Sequence, residues 1–394
     1  MKLTFLLGLI WVAYVYGGYP ILLACLSCWR RVSPIIDNSY SPSVSVLIAA
    51  HNEEKDIGWK LAETLAWDYP PEQLEILVVS DASEDATDTI VGQYTGERVS
   101  LTRMERRGGK ARGLNRLARQ AKGELLFFTD ANAHVQRNAL RLIARYFADP
   151  RVGCVTGDSQ PIKEKNAPIA DGAAIYWSYE SILKQLENRL GSVLVCDGAL
   201  FCQRANLFQS LDPELANDLE SPMHVGVAGY WIMHERSALA FERDTRSPLE
   251  EFKRRQRMCA QGMLAMLRLR STYRGLRGWQ FISHKLLRWL TLLPLLVMLL
   301  SSAVLSARSP IFAVLCAAQA IFYVSAGIGF IGTITHRRVL WIFIPPFYTL
   351  LGLLGALIGV IKCLAGKRFD IWEIPSLSRG GIDAVFGVEH DNFG

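Results

Sequence analysis

The chain has 394 residues, half of them hydrophobic, and a formal net charge of +6. That length allows two or three ordinary domains, but the apolar residues gather in long runs, which excludes a purely soluble globular chain. Eight scattered cysteines exclude a small disulfide-built scaffold. The basic excess abuts an apolar run and carries no recognition motif, which excludes nucleic acid as an expected partner.

Residues 3–29 carry no charged side chain, enough for one helical crossing of a bilayer. The run is longer than the apolar core of a secretory leader, and Cys28-Trp29-Arg30-Arg31 is not a small-residue cleavage site. Residues 1–30 are therefore expected to form an uncleaved transmembrane anchor. Cys25 and Cys28 within it read as small buried residues rather than a metal or redox pair.

The central segment, residues 42–258, alternates short apolar runs with helical periodicity. Residues 43–50 (SVSVLIAA) predict a buried strand, and residues 53–67 a helix that stops before Pro70-Pro71. Residues 74–80 predict a second strand, 85–94 a helix, 99–104 a third strand, 110–121 a basic helix and 125–129 a fourth strand. This order predicts an α/β fold with a mostly parallel sheet. In such sheets ligands bind beyond the carboxyl ends of the strands. There the sequence places Ala50-His51-Asn52-Glu53-Glu54, then Ser80-Asp81-Ala82-Ser83-Glu84-Asp85, then Thr129-Asp130-Ala131-Asn132. Each cluster alone also fits a turn or helix cap; three at one sheet edge make a polar site. Asp130 and Asn132 flank one residue, so extended backbone puts both on one side. Their oxygens suit a hard divalent cation completed by substrate phosphates.

Beyond this segment, ten Lys or Arg and no Asp or Glu fall between residues 252 and 288. Residues 279–289, with Trp at each end, predict the end of a basic amphipathic interface segment spanning 259–288, with His284 as an interface residue. Residues 289–307, 309–335 and 339–361 are uncharged and predict a transmembrane bundle of about three segments within 289–365. Pro345-Pro346 leaves the last open to a break. The spans contain almost no polar groups, which argues against a transporter. Arg30, Arg31 and the basic stretch put the central domain in the cytoplasm. His336-Arg337-Arg338 are expected on that same side; Lys362, Lys367 and Arg368 argue for a cytoplasmic tail, residues 366–394, which an intact last crossing would not give.

The motifs HNEE, SDASEDAT, GGKARGLN and TDAN, three of them at strand ends and in that order, resemble the family 2 glycosyltransferases of GT-A fold. The resemblance extends to the membrane-bound branch of cellulose, hyaluronan and poly-N-acetylglucosamine synthases, including the flanking spans. It implies inverting, metal-dependent transfer, with Mg²⁺ or Mn²⁺, from a nucleotide-sugar donor at the cytoplasmic membrane. UDP is the leaving nucleotide it suggests. The acceptor would be a glycan or a lipid-linked sugar, and the partners membrane lipids and export or synthase subunits.

Carried over, the resemblance gives Ala50, Asn52 and Glu53 a place in the nucleotide pocket and Asp81 a contact to the uracil or ribose. Lys110 would face the nucleotide, although it also fits a solvated basic helix face with Arg112, Arg116 and Arg119. Asp130 and Asn132 match the D-x-D metal motif, with Asn removing one negative charge. Asp197, in Cys196-Asp197-Gly198-Ala199, falls in the stretch shaping the sugar and acceptor pocket, or else in a tight turn. Asp218, in Asn217-Asp218-Leu219-Glu220, matches the general base, with Glu220 as the alternative. Arg254 and Arg257 fall in the Q-x-x-R-W region, where Arg257 matches the diphosphate-binding Arg. Met258 replaces the Trp that stacks on the acceptor, which weighs against processive polymerisation and favours single transfer to a lipid, whereas the multiple C-terminal spans favour extension of a polysaccharide or oligosaccharide.

Overall fold

A computed structural model of the chain describes residues 1–162, 170–243, 247–269, 274–335 and 340–369. His336-Arg337-Arg338, residues 270–273 of the basic stretch and the tail beyond residue 369 lie outside them. The chain divides into two compact units.

One unit comprises Ser33–Lys165, Gly191–Arg246 and Asp370–Gly394. Its strands are β1 (Val44–Ala50), β2 (Leu74–Ser80), β3 (Val99–Arg103), β4 (Leu125–Asp130), β5 (His134–Val135), β6 (Val152–Ile162), β7 (Phe201–Arg204) and β8 (Trp231–Arg243). They form one sheet in the order β3-β2-β1-β4-β7-β6-β8-β5. β1, β2, β3 and β4 run parallel, while β7 pairs antiparallel with β4 and β6. The sheet is therefore mixed, its parallel half being the one predicted. All seven residues of β1 are buried, as a central strand covered on both faces requires. Leu47, Leu77, Val79, Leu114, Phe128 and Phe201 belong to one continuous core, with the Phe128 and Phe201 rings stacked at 4.4 Å.

The other unit comprises Met1–Val32, Asn166–Leu190 and Ser247–Phe369. Helices Ala170–Arg189 and Pro248–Arg268 thus group with the apolar helices, so residues 42–258 do not form one continuous compact unit. Among the described residues, three helices are long and apolar enough to cross a membrane: Lys2–Trp29, Pro310–Ile334 and Trp341–Leu364. Gly275–Trp289 and Leu292–Ser306 meet at a 54° bend and make a fourth candidate if taken together. Pro345 and Pro346 do not break the last helix. They occupy the first turn of Ile344–Leu364, where no intrahelical amide is needed. A Cβ on Gly359 would come within 2.5 Å of the Gln256 carbonyl, so glycine lets these two helices approach closely. Cys25 and Cys28 are exposed on the first helix rather than buried.

Residues 279–289 differ most from expectation. His284 is 2% exposed and lies between two carboxylates, Nδ1 2.8 Å from Glu187 Oε1 and Nε2 2.9 Å from Glu180 Oε1. Lys285 and Arg288 each donate to Glu180 at 2.7 Å, and Tyr19 donates to Glu187 at 3.0 Å. Burial alone would raise the Glu180 carboxyl, but Arg288, Lys285 and His284 hold it well below the usual range. The basic residues turn inward because helix Ala170–Arg189 offers them acids, the condition under which buried charge is tolerated.

Candidate active site

The register of the parallel strands builds the site. Ala50 lies beside Ser80, and Ala49 beside Asp130, so the three polar clusters emerge side by side. The first two loops are tied to each other. Asn52 adopts a left-handed conformation (φ 54°); its amide donates to Ser83 Oγ at 3.1 Å, and its Oδ1 accepts from the Glu84 amide at 2.8 Å. The Glu53 amide donates to Thr87 Oγ1 at 2.8 Å and the Glu54 amide to Asp85 Oδ2 at 3.0 Å. These bonds hold residues 51–56 in a turn, so the helix begins at Ile57 and not at Glu53.

Asp81 is buried and accepts from the Gly108 amide at 2.6 Å and the Gly109 amide at 2.8 Å. It shapes the glycine loop, and each oxygen keeps one lone pair for a ligand. Gly109 has φ 85°, a conformation costly for any residue with a Cβ. It starts helix Lys110–Ala118 so that Lys110 reaches the fourth strand, where Nζ pairs with Asp130 Oδ1. Lys110 thus faces the sheet edge, whereas Arg112, Arg116 and Arg119 are exposed.

Asp197 is held in a turn. Its carboxylate accepts from the Ser159 amide at 2.9 Å, Ser159 Oγ at 2.6 Å and the Ala199 amide at 3.1 Å, and its carbonyl accepts from the Leu200 amide. The tight turn is present, and it lies next to Asp218: a Cβ on Gly198, in that turn, would lie 3.6 Å from Asp218 Oδ2. Asp218 is the second residue of helix Asn217–Val227. Burial pushes its carboxyl above the ordinary aspartate range, opposed by Lys110 and reinforced by Asp197 and Asp130. Glu220 is buried and committed elsewhere, accepting from the Asp212 amide at 2.9 Å, with His224 Nε2 at 3.4 Å.

Arg254 and Arg257 lie on helix Pro248–Arg268 of the other unit. Arg254 Nη1 is 3.7 Å from Glu251, and Met258 is exposed. Among the described residues no three His, Cys, Asp or Glu converge as metal ligands. Asp130 and Asn132 offer hard oxygens, a donor set that fits Mg²⁺ or Mn²⁺ when diphosphate oxygens complete the shell.

One residue escaped the sequence reading. Lys60 is fully buried on helix Ile57–Leu65, on the face it shares with Ile57, Leu61 and Thr64. Burial pushes its ammonium below the ordinary lysine range, opposed by Glu63, Asp130 and Glu242. A lysine at the i+3 position of an apolar stripe was the available signal.

The family model for Glycosyl transferase family 2 matches residues 45–210. Among curated relatives, the beta-monoglucosyldiacylglycerol synthase of Synechocystis sp. is 31% identical over 35% of this chain and 28% of its own. The probable glycosyltransferase YdaM of Bacillus subtilis is 27% identical over 60% of each chain. A poly-beta-1,6-N-acetyl-D-glucosamine synthase of Staphylococcus aureus is 25% identical over 53% of this chain and 52% of its own. The chain thus spans less than two thirds of the length of these relatives. A solved structure, the mannosyltransferase PcManGT from Pyrobaculum calidifontis in complex with GDP-Man and Mn²⁺, shares the fold. Its TM-score is 0.71 at 21% identity, over 92% of this chain and 99% of that one. The match over residues 45–210, on a GT-A-like α/β sheet, identifies the chain as carrying a family 2 glycosyltransferase domain.

Proposed function

We propose that the chain transfers a sugar from a nucleotide-sugar, with UDP as the leaving nucleotide, to a polysaccharide or oligosaccharide acceptor at the cytoplasmic membrane, with inversion. The observation that carries this reading is the grouping of Asp130, Lys110 and Asp218 at the carboxyl edge of the parallel strands. Asp218 takes the proton of the acceptor hydroxyl as its oxygen attacks the anomeric carbon, and its raised affinity for protons suits that task. Lys110 exchanges Asp130 for the diphosphate, whose charge it meets as a compact ammonium. Ala50, Asn52, Glu53 and Asp81 bound the nucleotide pocket, and Asp197 fixes the turn facing Asp218. A divalent cation, Mg²⁺ or Mn²⁺, would be held by Asp130 and Asn132 and, when bound, supplies positive charge to the leaving diphosphate. Arg257 matches the diphosphate-binding Arg on the family pattern alone, and Arg254 neighbours it in sequence.

Three apolar helices of crossing length support membrane attachment, and Arg30 and Arg31 support a cytosolic catalytic unit. Transfer of a single sugar to a lipid is the second reading. It is favoured by the exposed Met258 in place of an acceptor-stacking Trp and by a relative named as a glucosyldiacylglycerol synthase. The test is a donor screen. Purified protein in detergent meets a panel of nucleotide sugars with glycan or diacylglycerol acceptors, and released nucleotide is measured. Acceptor-dependent release from a UDP-sugar is expected; release from none of the panel would overturn the assignment.

A further inference from the structure

Lys60 spans the Asp130-Ala131-Asn132 turn from beneath. Its Nζ donates to Thr129 Oγ1 at 3.0 Å and to the Ala133 carbonyl at 2.6 Å. Thr129 immediately precedes Asp130, and Ala133 immediately follows Asn132. One ammonium thus joins both ends of the two-ligand turn, with Glu63 Oε2 at 4.0 Å and the Trp67 ring at 5.7 Å. Helix Ile57–Leu65, which bears it, is itself fixed by the bonds between the first two loops.

A cation with no exposure is costly to bury unless its donors are met and a counter-charge stands close. An apolar side chain of similar volume would fill the position without that cost. Here Thr129 and Ala133 meet two donors only while the turn keeps its present shape. A turn that opened would strand a buried ammonium, so the lysine penalises every other conformation of Asp130 and Asn132. A second-layer group of this kind commonly sets ligand geometry.

We infer that Lys60 is a positioning residue for the divalent cation: it clamps the turn so that the Asp130 carboxylate and the Asn132 amide present their oxygens to one ion. This rests on the proposed reading of those two residues as metal ligands. Lys60 touches neither ion nor substrate and takes no proton.

The test uses the full chain in detergent and binding rather than turnover. Calorimetry measures the affinity of UDP, and in parallel GDP, with Mn²⁺ and with chelator, for wild type, Lys60→Met and Thr129→Val. Thermal unfolding confirms that each variant is folded. Wild type is expected to bind nucleotide more tightly with Mn²⁺. Lys60→Met is expected to weaken the Mn²⁺-dependent binding about 10- to 100-fold and leave the chelator value unchanged. A general loss of structure would lower both values. Thr129→Val removes one acceptor without stranding the charge and is expected to show part of the same loss. It decides the question if Lys60→Met does not fold. Full retention of the Mn²⁺ gain in folded Lys60→Met, or in Thr129→Val where that variant decides, overturns the inference alone. Equal affinity with Mn²⁺ and chelator in wild type overturns the metal reading and this inference with it.

Discussion

Asp218 and Glu220 stand two residues apart on one helix and have different surroundings. Glu220 closes onto the Asp212 amide at 2.9 Å, whereas Asp218 faces the Asp197-Gly198 turn and the field of Lys110 and Asp130. Asp218→Asn is expected to lower turnover by about 10²-fold or more, the usual effect of losing a general base, with nucleotide affinity unchanged. Glu220→Gln is expected to retain turnover and lose thermal stability, because a buried acceptor of backbone bonds is weakened. Turnover in Asp218→Asn above a tenth of wild type would move the base elsewhere.

The pH profile follows from the same environment. A base acts only when deprotonated, so activity falls as pH falls through the Asp218 pKa. Burial raises that pKa, so the acid limb lies at higher pH than an unperturbed aspartate would set. Lys110 opposes the rise. Lys110→Met should therefore move the acid limb of kcat/KM to still higher pH, besides weakening donor binding. A limb that stays put or moves to lower pH would remove Asp218 as the titrating group.

Metal and nucleotide should bind as a pair. Asp130 and Asn132 offer too few oxygens to hold an ion by themselves. Calorimetry should show weak Mn²⁺ binding to the free protein, tighter binding with UDP present, and loss of that gain in Asp130→Ala. Strong Mn²⁺ binding without nucleotide would point to a complete protein ligand set.

Membrane orientation is checked by cysteine labelling in intact cells. Ser83 is 3% exposed and would resist any reagent, whereas its neighbour Glu84 is exposed. In a cysteine-free background, Ser309→Cys should react with a membrane-impermeant thiol reagent and Glu84→Cys should not. Labelling at position 84 would place the catalytic unit away from cytosolic donors.

The parallel half of the sheet was legible because β1, β2 and β4 are short apolar runs, each ending in a polar cluster. β6, β7 and β8 were not. β8 carries Glu235, Arg236 and Glu242 among its apolar residues, and its pairing depends on partners far away in sequence. Residues 53–56 look helical locally, yet their amides answer to Asp85 and Thr87 across the site. Lys60 was missed and His284 was placed at an interface for one reason: a charged or polar side chain reads as exposed until its partners, distant in sequence, are known. Thr129 is 69 residues from Lys60 and Glu180 is 104 from His284.

The Glu180–His284–Glu187 bridge also sets an order for biosynthesis. The two acids leave the ribosome 97 to 108 residues before the His284, Lys285 and Arg288 groups that neutralise them. Until then the helix Ala170–Arg189 lacks these partners, and burying its glutamates in an apolar setting is costly, so the helix is expected to stay in contact with water. Helix Lys2–Trp29, already made, meanwhile has no Glu187 partner in place for Tyr19. Completion of residues 275–289 is thus the event that lets three separated stretches of chain close together. A nascent chain halted before residue 280 should remain open to protease within residues 170–189.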